Sequence, residues 1–186
     1  MKKLLAGITL AAVLAALAGP MVAQQTRREE TRSSGAAEDA RPNSAGVPDV
    51  YAMSGQFDRV LVLRFKYQTD LLDGLQRMIK QNHVQNAVIL SAFGSVISYQ
   101  VHDVSNRTFP SKDMFTADPT MPADIVTMAG FVLNGKLHPH ISLATPEKGF
   151  GGHLEPGTKV FTFAVVTVGV LPDDLDLRKL DDQSYR

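Results

Sequence analysis

Hydrophobic and polar residues are laid out along this chain in blocks of different period. Arg59–Phe65 (Arg-Val-Leu-Val-Leu-Arg-Phe) is β-rich, whereas Asp70–Asn82 places Leu71, Leu72, Leu75, Met78 and Ile79 on one stripe at helical spacing, with Thr69 or Asp70 available as its cap. A strand followed by a helix is the expectation. Ala87–Phe93 reads as a buried strand, Gly94-Ser95 as a bend or bulge, and Val96–Val104 as its continuation or a partner strand. After a segment rich in Pro and Asp from Phe109 to Ala123, a strand over Asp124–Val132 runs into Asn134-Gly135, a pair selected by tight hairpin turns, and returns over Leu137–Ala144. A loop over Thr145–Gly152 and a last strand over Lys159–Val170 complete the unit. Six or so strands joined mostly by short turns predict a mixed α/β fold of α+β character. It consists of a mainly antiparallel β-sheet with one main helix packed on it.

The ends follow other rules. Met1-Lys2-Lys3 precedes an uncharged apolar run from Leu4 to Ala18, then Gly19-Pro20 and Val22-Ala23, the three-part order of a secretory signal peptide over residues 1–23. Cleavage after Ala23 is preferred to cleavage after Ala18, and the expected location is the periplasm or the exterior. The run of 15 residues is short of the roughly 20 that span a bilayer, so no stable membrane anchor is expected. Residues 24–56 are charged and rich in Ser, Gly, Ala and Pro; they hold too little apolar surface to offset their ordering entropy and read as a disordered spacer. Residues 172–186 are nearly as polar and are expected to trail as a C-terminal tail, which leaves 57–171 as the folded domain.

Composition removes several chemistries. The chain has no cysteine, which excludes disulfides, thiolate metal sites and a cysteine nucleophile. Its 19 basic residues are balanced by 19 acidic ones with no long block of like charge, which argues against a nucleic-acid-binding surface. There is no Gly-x-Ser-x-Gly elbow, and Ser142 is only a neighbour of histidines, so serine hydrolysis has little support.

The informative stretch is Leu137-His138-Pro139-His140-Ile141, followed by Gly151-Gly152-His153. Side chains two apart on a strand share a face at about 6.5–7 Å, so His138 and His140 can converge on one ion while Pro139 faces away. His153, arriving after the glycines, would be a third nitrogen ligand, and three imidazoles leave an open position on zinc or another divalent metal. The plain alternative is a pair of surface histidines on an edge strand, a placement that Pro139 also suits. Three of the five histidines within sixteen residues bring the metal reading level with that alternative. Asp124, Glu147 and Glu155 are the carboxylates available as a general base or to orient an imidazole. Gly151 and Gly152 are a candidate anion-binding loop, with a simple turn as the plainer reading. His83 and His102 read as ordinary surface or cap residues.

These residues resemble a known family. The helix with its following strand, then Ala92-Phe93-Gly94-Ser95-Val96, Met128-Ala129-Gly130 and above all His138-Pro139-His140-Ile141-Ser142-Leu143-Ala144 with Gly151-Gly152-His153-Leu154-Glu155-Pro156-Gly157-Thr158, are similar to the PPC domain, conserved in plants and prokaryotes, over about residues 57–171. The resemblance implies a homotrimer with clefts between subunits, and a zinc-type site at His138, His140 and His153. Plant members join the domain to an AT-hook that binds DNA. This chain has no Arg-Gly-Arg-Pro hook, carries Asp124 where many members have Glu, and has Ala164-Val165 where an acidic residue often stands. A complete catalytic set is therefore not expected.

The leading functional expectation is an exported trimer that binds a divalent ion, and with it a small-molecule ligand, in a histidine-lined cleft. A metal-assisted hydrolase using the same histidines is the second reading, since a zinc-bound water becomes a nucleophile near neutral pH. A DNA-binding or regulatory module is opposed by export and by zero net charge. A purely structural oligomeric domain is the remaining reading.

Overall fold

The computed structural model describes residues 24–32, 37 and 40–182, so the expected signal peptide over 1–23 lies outside the described residues. Along the chain come strands β1 (Thr26–Thr31) and β2 (Arg59–Lys66), helix α1 (Leu71–Gln81), then strands β3 (Asn86–Val104), β4 (Lys112–Asp118), β5 (Ala123–Leu133), β6 (Lys136–Ala144), β7 (Gly149–Leu154) and β8 (Lys159–Leu171), and a 3₁₀ turn at Arg178–Asp181. All strand pairs are antiparallel, in the order β1-β4-β3-β5-β6-β7, with β8 pairing both β2 and β3 and with β7 returning to β3. The mainly antiparallel sheet expected from the pattern is present, but the molecule is more β-rich than a balanced α/β domain.

The spine is β3, an unbroken strand of 19 residues. Its first part lies between β5 and β8, and its last part, from Tyr99 onward, between β4 and β7. Gly94-Ser95 does not end the strand. Gly94 takes φ +135, and a Cβ there would sit 2.2 Å from the Phe163 carbonyl oxygen, so only glycine lets β3 continue through the irregularity against β8.

Helix α1 starts where Asp70 accepts from the Asp73 amide at 3.2 Å, and the same carboxylate accepts the Gly157 amide at 2.7 Å. Leu71, Leu72, Leu75 and Ile79 are buried against Leu63 and Phe65 of β2. A Cβ at Gly74 would fall 2.6 Å from the Phe65 ring, which shows how closely the helix sits on the strand. The core continues through Val96, Met128, Leu143, Leu154 and Val166 between the strands.

Four segments differ from the sequence expectation. β4 forms within the Pro- and Asp-rich stretch, and β7 within the stretch expected as a loop. Glycine depresses local strand preference, yet β7 needs it: a Cβ at Gly151 would lie 2.2 Å from the Ile141 carbonyl oxygen of β6. The spacer expected over 24–56 contains β1, which pairs residue by residue with β4 and adds Lys112–Glu29 and Arg32–Asp113 ion pairs at 3.4 and 2.7 Å. An exposed strand edge offers unpaired backbone groups, and that edge orders six residues whose side chains bury almost nothing. The described part of the tail, up to residue 182, also packs rather than trails, with Leu177 buried against Leu133 and Leu171.

Two substitutions test this account. Leu75, 0% exposed, should cost about 2–5 kcal/mol on replacement by Ala, and Gly151→Ala should cost about 1–3 kcal/mol by forcing β6 and β7 apart, both read as lower urea midpoints. A Gly151→Ala protein as stable as its parent would contradict the close-approach role of this glycine.

Candidate metal centre

Register builds the site. His140 of β6 pairs with His153 of β7, and His153 pairs with His102 of β3. Residues directly opposite on antiparallel strands present their side chains on the same face, so three imidazoles form a row across three strands. His138 stands two residues further along β6 on that face, while Pro139 is buried on the other. Pro139 lies one residue beyond the last β6–β7 pair, where the ladder on that side has ended, so its missing donor costs nothing there.

The rings are close. Centroid separations are 5.3 Å for His138–His140, 5.0 Å for His138–His153, 5.5 Å for His140–His153 and 4.6 Å for the stacked pair His102–His153. The Nε2 atoms of His138 and His140 lie 3.2 Å apart. Glu155, just past β7, places Oε1 2.6 Å from His102 Nδ1 and 3.2 Å from His153 Nδ1. One ligand atom from each of His102, His153 and Glu155 falls within 4.8 Å of the others, a set able to hold a metal ion. Behind His102, Asp113 Oδ2 is 3.9 Å from Nε2 and is itself held by Arg32.

The structure thus brings together His138, His140, His153 and Glu155, and adds His102, which the sequence reading set aside as an ordinary surface or cap residue. No local signal marks His102. It enters only because β7 returns to β3, a pairing between segments fifty residues apart. His83 is exposed after the helix, at φ +52.

The other carboxylates lie elsewhere. Asp124 pairs with Ser95 and Ala144, four residues along β6 from His140 and hence about 13 Å away at strand rise. There it lines a separate cavity of about 660 Å³ with Ser95, Thr145 and Thr162. Glu147 is exposed in the Thr145–Lys148 turn. Gly151 and Gly152 are strand residues rather than an anion loop. A Cβ on Gly152, at φ +149, would lie 2.5 Å from the His102 carbonyl oxygen, so these glycines serve strand approach and not ligand cradling.

Electrostatics favour neutral rings. Burial is the main cause holding His140 below the ordinary histidine value, followed by the neighbouring His138 and His102, with Asp103 opposing. His153 is lowered first by burial and then by His102, against the opposing pull of Glu155. Neutral imidazoles offer the lone pairs that a metal needs.

Residues 52–172 match the family model described as the Plants and Prokaryotes Conserved (PCC) domain. The chain belongs to this family. Among curated proteins, the PCC-domain chain is 29% identical over 139 residues to the bifunctional protein GlmU of Synechococcus, covering 74% of this chain and 21% of that protein. It therefore spans about a fifth of the length of that relative.

Solved structures with the same fold include a hypothetical protein from Salmonella (TM-score 0.56, 21% identity, 66% of this chain and 83% of the other). A metal-containing protein from Archaeoglobus fulgidus matches at TM-score 0.55 and 21% identity, over 66% and 86% of the two chains. A plant- and prokaryote-conserved protein from Pyrococcus horikoshii matches at TM-score 0.55 and 18% identity, over 66% and 85%. At these identities the likeness is one of fold.

A pH dependence follows from the two lowered histidines. Their folded values lie below the ordinary 6.5, so the unfolded chain binds more protons than the folded one in that window, and stability rises with pH through it. The metal-free protein should therefore keep this contribution above pH ~6.5 and lose it on acidification. Thermal melts at pH 7.5 and 5.5 should show the drop in the parent and a smaller drop in a His140→Gln/His153→Gln variant. Equal drops in both would refute the assignment.

Proposed function

We propose that this PCC-domain protein is an exported, homotrimeric binding module whose histidine cluster holds a divalent metal such as zinc. The observation that carries the metal reading is the 3.2 Å separation of the His138 and His140 Nε2 atoms. Two nitrogens bound at about 2.0 Å around a tetrahedral ion lie about 3.3 Å apart, so this pair already has the spacing of two ligands. Glu155 faces Nδ1 of His153, whose ring centroid lies 5.0 and 5.5 Å from those of His138 and His140. His102, engaged by Glu155 and flanked by Asp113, supports the cluster from behind or completes the His102–His153–Glu155 set. The metal-containing neighbour from Archaeoglobus fulgidus supports the same reading.

Binding is preferred to hydrolysis. Asp124 and Glu147 stand away from the histidines, and Glu155 is taken up by two imidazoles, so a free general base is lacking among the carboxylates named from the sequence. A bound zinc would keep a position open for water or a small polar ligand.

Assembly is supported by the outer face of the sheet. Val60, Val62, Phe93, Phe161 and Phe163 are exposed there, with Phe93 and Phe163 in edge contact at 6.1 Å. α1 covers the opposite face of β2, while on this face Arg64 reaches over the Phe163 ring at 5.6 Å and Tyr67 stands edge-on to Phe161 at 6.3 Å, leaving the phenylalanines partly open. Contiguous exposed apolar surface of this kind marks association. Export rests on the charged, apolar and small-residue order of residues 1–23.

Purified protein should carry stoichiometric zinc by elemental analysis, and His138→Ala/His140→Ala should carry almost none; equal contents in the two would end the metal reading. Phe93→Glu should convert a trimer to monomers in sedimentation. A parent already monomeric would remove the assembly claim. Recovery of an unprocessed chain in the cytoplasmic fraction would remove the export claim.

A further inference from the structure

The family match ends at residue 172, yet residues 173–182 beyond it are built into the fold. Asn86, 4% exposed, donates from Nδ2 to the carbonyls of Pro172, Asp173 and Leu175 at 3.1, 3.4 and 2.9 Å, and its Oδ1 accepts the Asn134 amide at 3.2 Å. One buried side chain therefore ties the C-terminal segment to the hairpin that leads into β6. A second anchor is Leu177, 4% exposed, which fills the space between Leu133 and Leu171. The Arg178–Asp181 turn follows at once, closed by the Leu180 amide on the Leu177 carbonyl at 3.0 Å.

These two anchors decide where Asp181 goes. Its Oδ2 lies 3.1 Å from His138 Nδ1 and 3.7 Å from Lys136 Nζ. The far side of the same ring is the Nε2 that faces His140. A carboxylate beside Nδ1 draws the ring proton there and leaves the Nε2 lone pair directed at the cluster, the arrangement by which carboxylates orient metal-binding imidazoles.

We propose that residues 173–182 are a working part of the histidine centre, with Asp181 as the positioning residue that holds His138 protonated on Nδ1 and open at Nε2. The proposal rests on the metal reading above for its consequence, but its geometry stands on the metal-free protein. Because Asp181 and His138 are both partly exposed, their pair adds little to global stability, and its effect lies in ring orientation.

The test uses the purified chain, Asp181→Asn, which removes the charge at constant shape, and Asp181→Glu, which restores it. Long-range proton–nitrogen NMR of the zinc-free protein at pH 8 should show His138 in the Nδ1–H form in the parent and in Asp181→Glu. Asp181→Asn should show it shifted toward Nε2–H, at unchanged melting temperature. Zinc titration should then show affinity weakened about 10–100-fold in Asp181→Asn and recovered in Asp181→Glu. A parent with His138 in the Nε2–H form, an unchanged tautomer in Asp181→Asn, or an altered tautomer with unchanged zinc affinity overturns the proposal. A parent that binds no zinc ends the metal reading instead, and the tautomer comparison still decides the role of Asp181.

Discussion

The centre depends on one constraint, the backbone register that runs from β6 through β7 to β3. Antiparallel pairing sets His140 opposite His153 and His153 opposite His102, at an interstrand spacing of about 4.8 Å. That spacing is near the distance at which imidazoles share an ion. A slip of one residue in β7 would turn His153 to the opposite face and dissolve the row. The glycines on both sides of the register keep it in place, because β7 has no side chain where it meets the Ile141 and His102 carbonyls.

Placing four imidazoles together creates an electrostatic problem that shapes the surroundings. Partial burial makes charge costly, and protonated rings would also repel one another, so His140 and His153 are pushed toward the neutral form. Carboxylates stand on Nδ1, Glu155 against His102 and His153 and Asp181 against His138, while the Nε2 atoms of His138 and His140 face each other and Asp113 stands beside that of His102. An array of lone pairs backed by negative charge suits a cation. It would repel an anion, which agrees with Gly151 and Gly152 being packing residues.

The sheet has a division of labour that the PCC fold makes possible. One face of β2 and β8 carries α1 and the core, while the other exposes valines and phenylalanines. β1 and residues 173–182, which lie outside the family match, are built onto the domain. β1 closes the β4 edge and brings Arg32 to Asp113 behind His102, and the C-terminal segment brings Asp181 to His138. Both additions thus end in charged groups around the same histidines.

The sequence by itself determined those features that depend on a local period. The stripe from Leu71 to Ile79, the alternation through β2 and β8, the Asn134-Gly135 turn and the shared face of His138 and His140 all follow from a repeat of 3.6 or 2 residues. Only the tertiary structure decided the rest. β4 and β7 lack a strong pattern and exist because neighbouring strands offer open edges. β1 and the C-terminal segment look disordered by composition, and they are held by a strand edge, by Asn86 and by Leu177. His102 joined the centre through a pairing across fifty residues that no local window contains, and Asp124 left it because register, not residue type, sets which carboxylate stands beside a ring. Side-chain direction is a local property of the backbone, whereas proximity between strands is a property of the whole sheet.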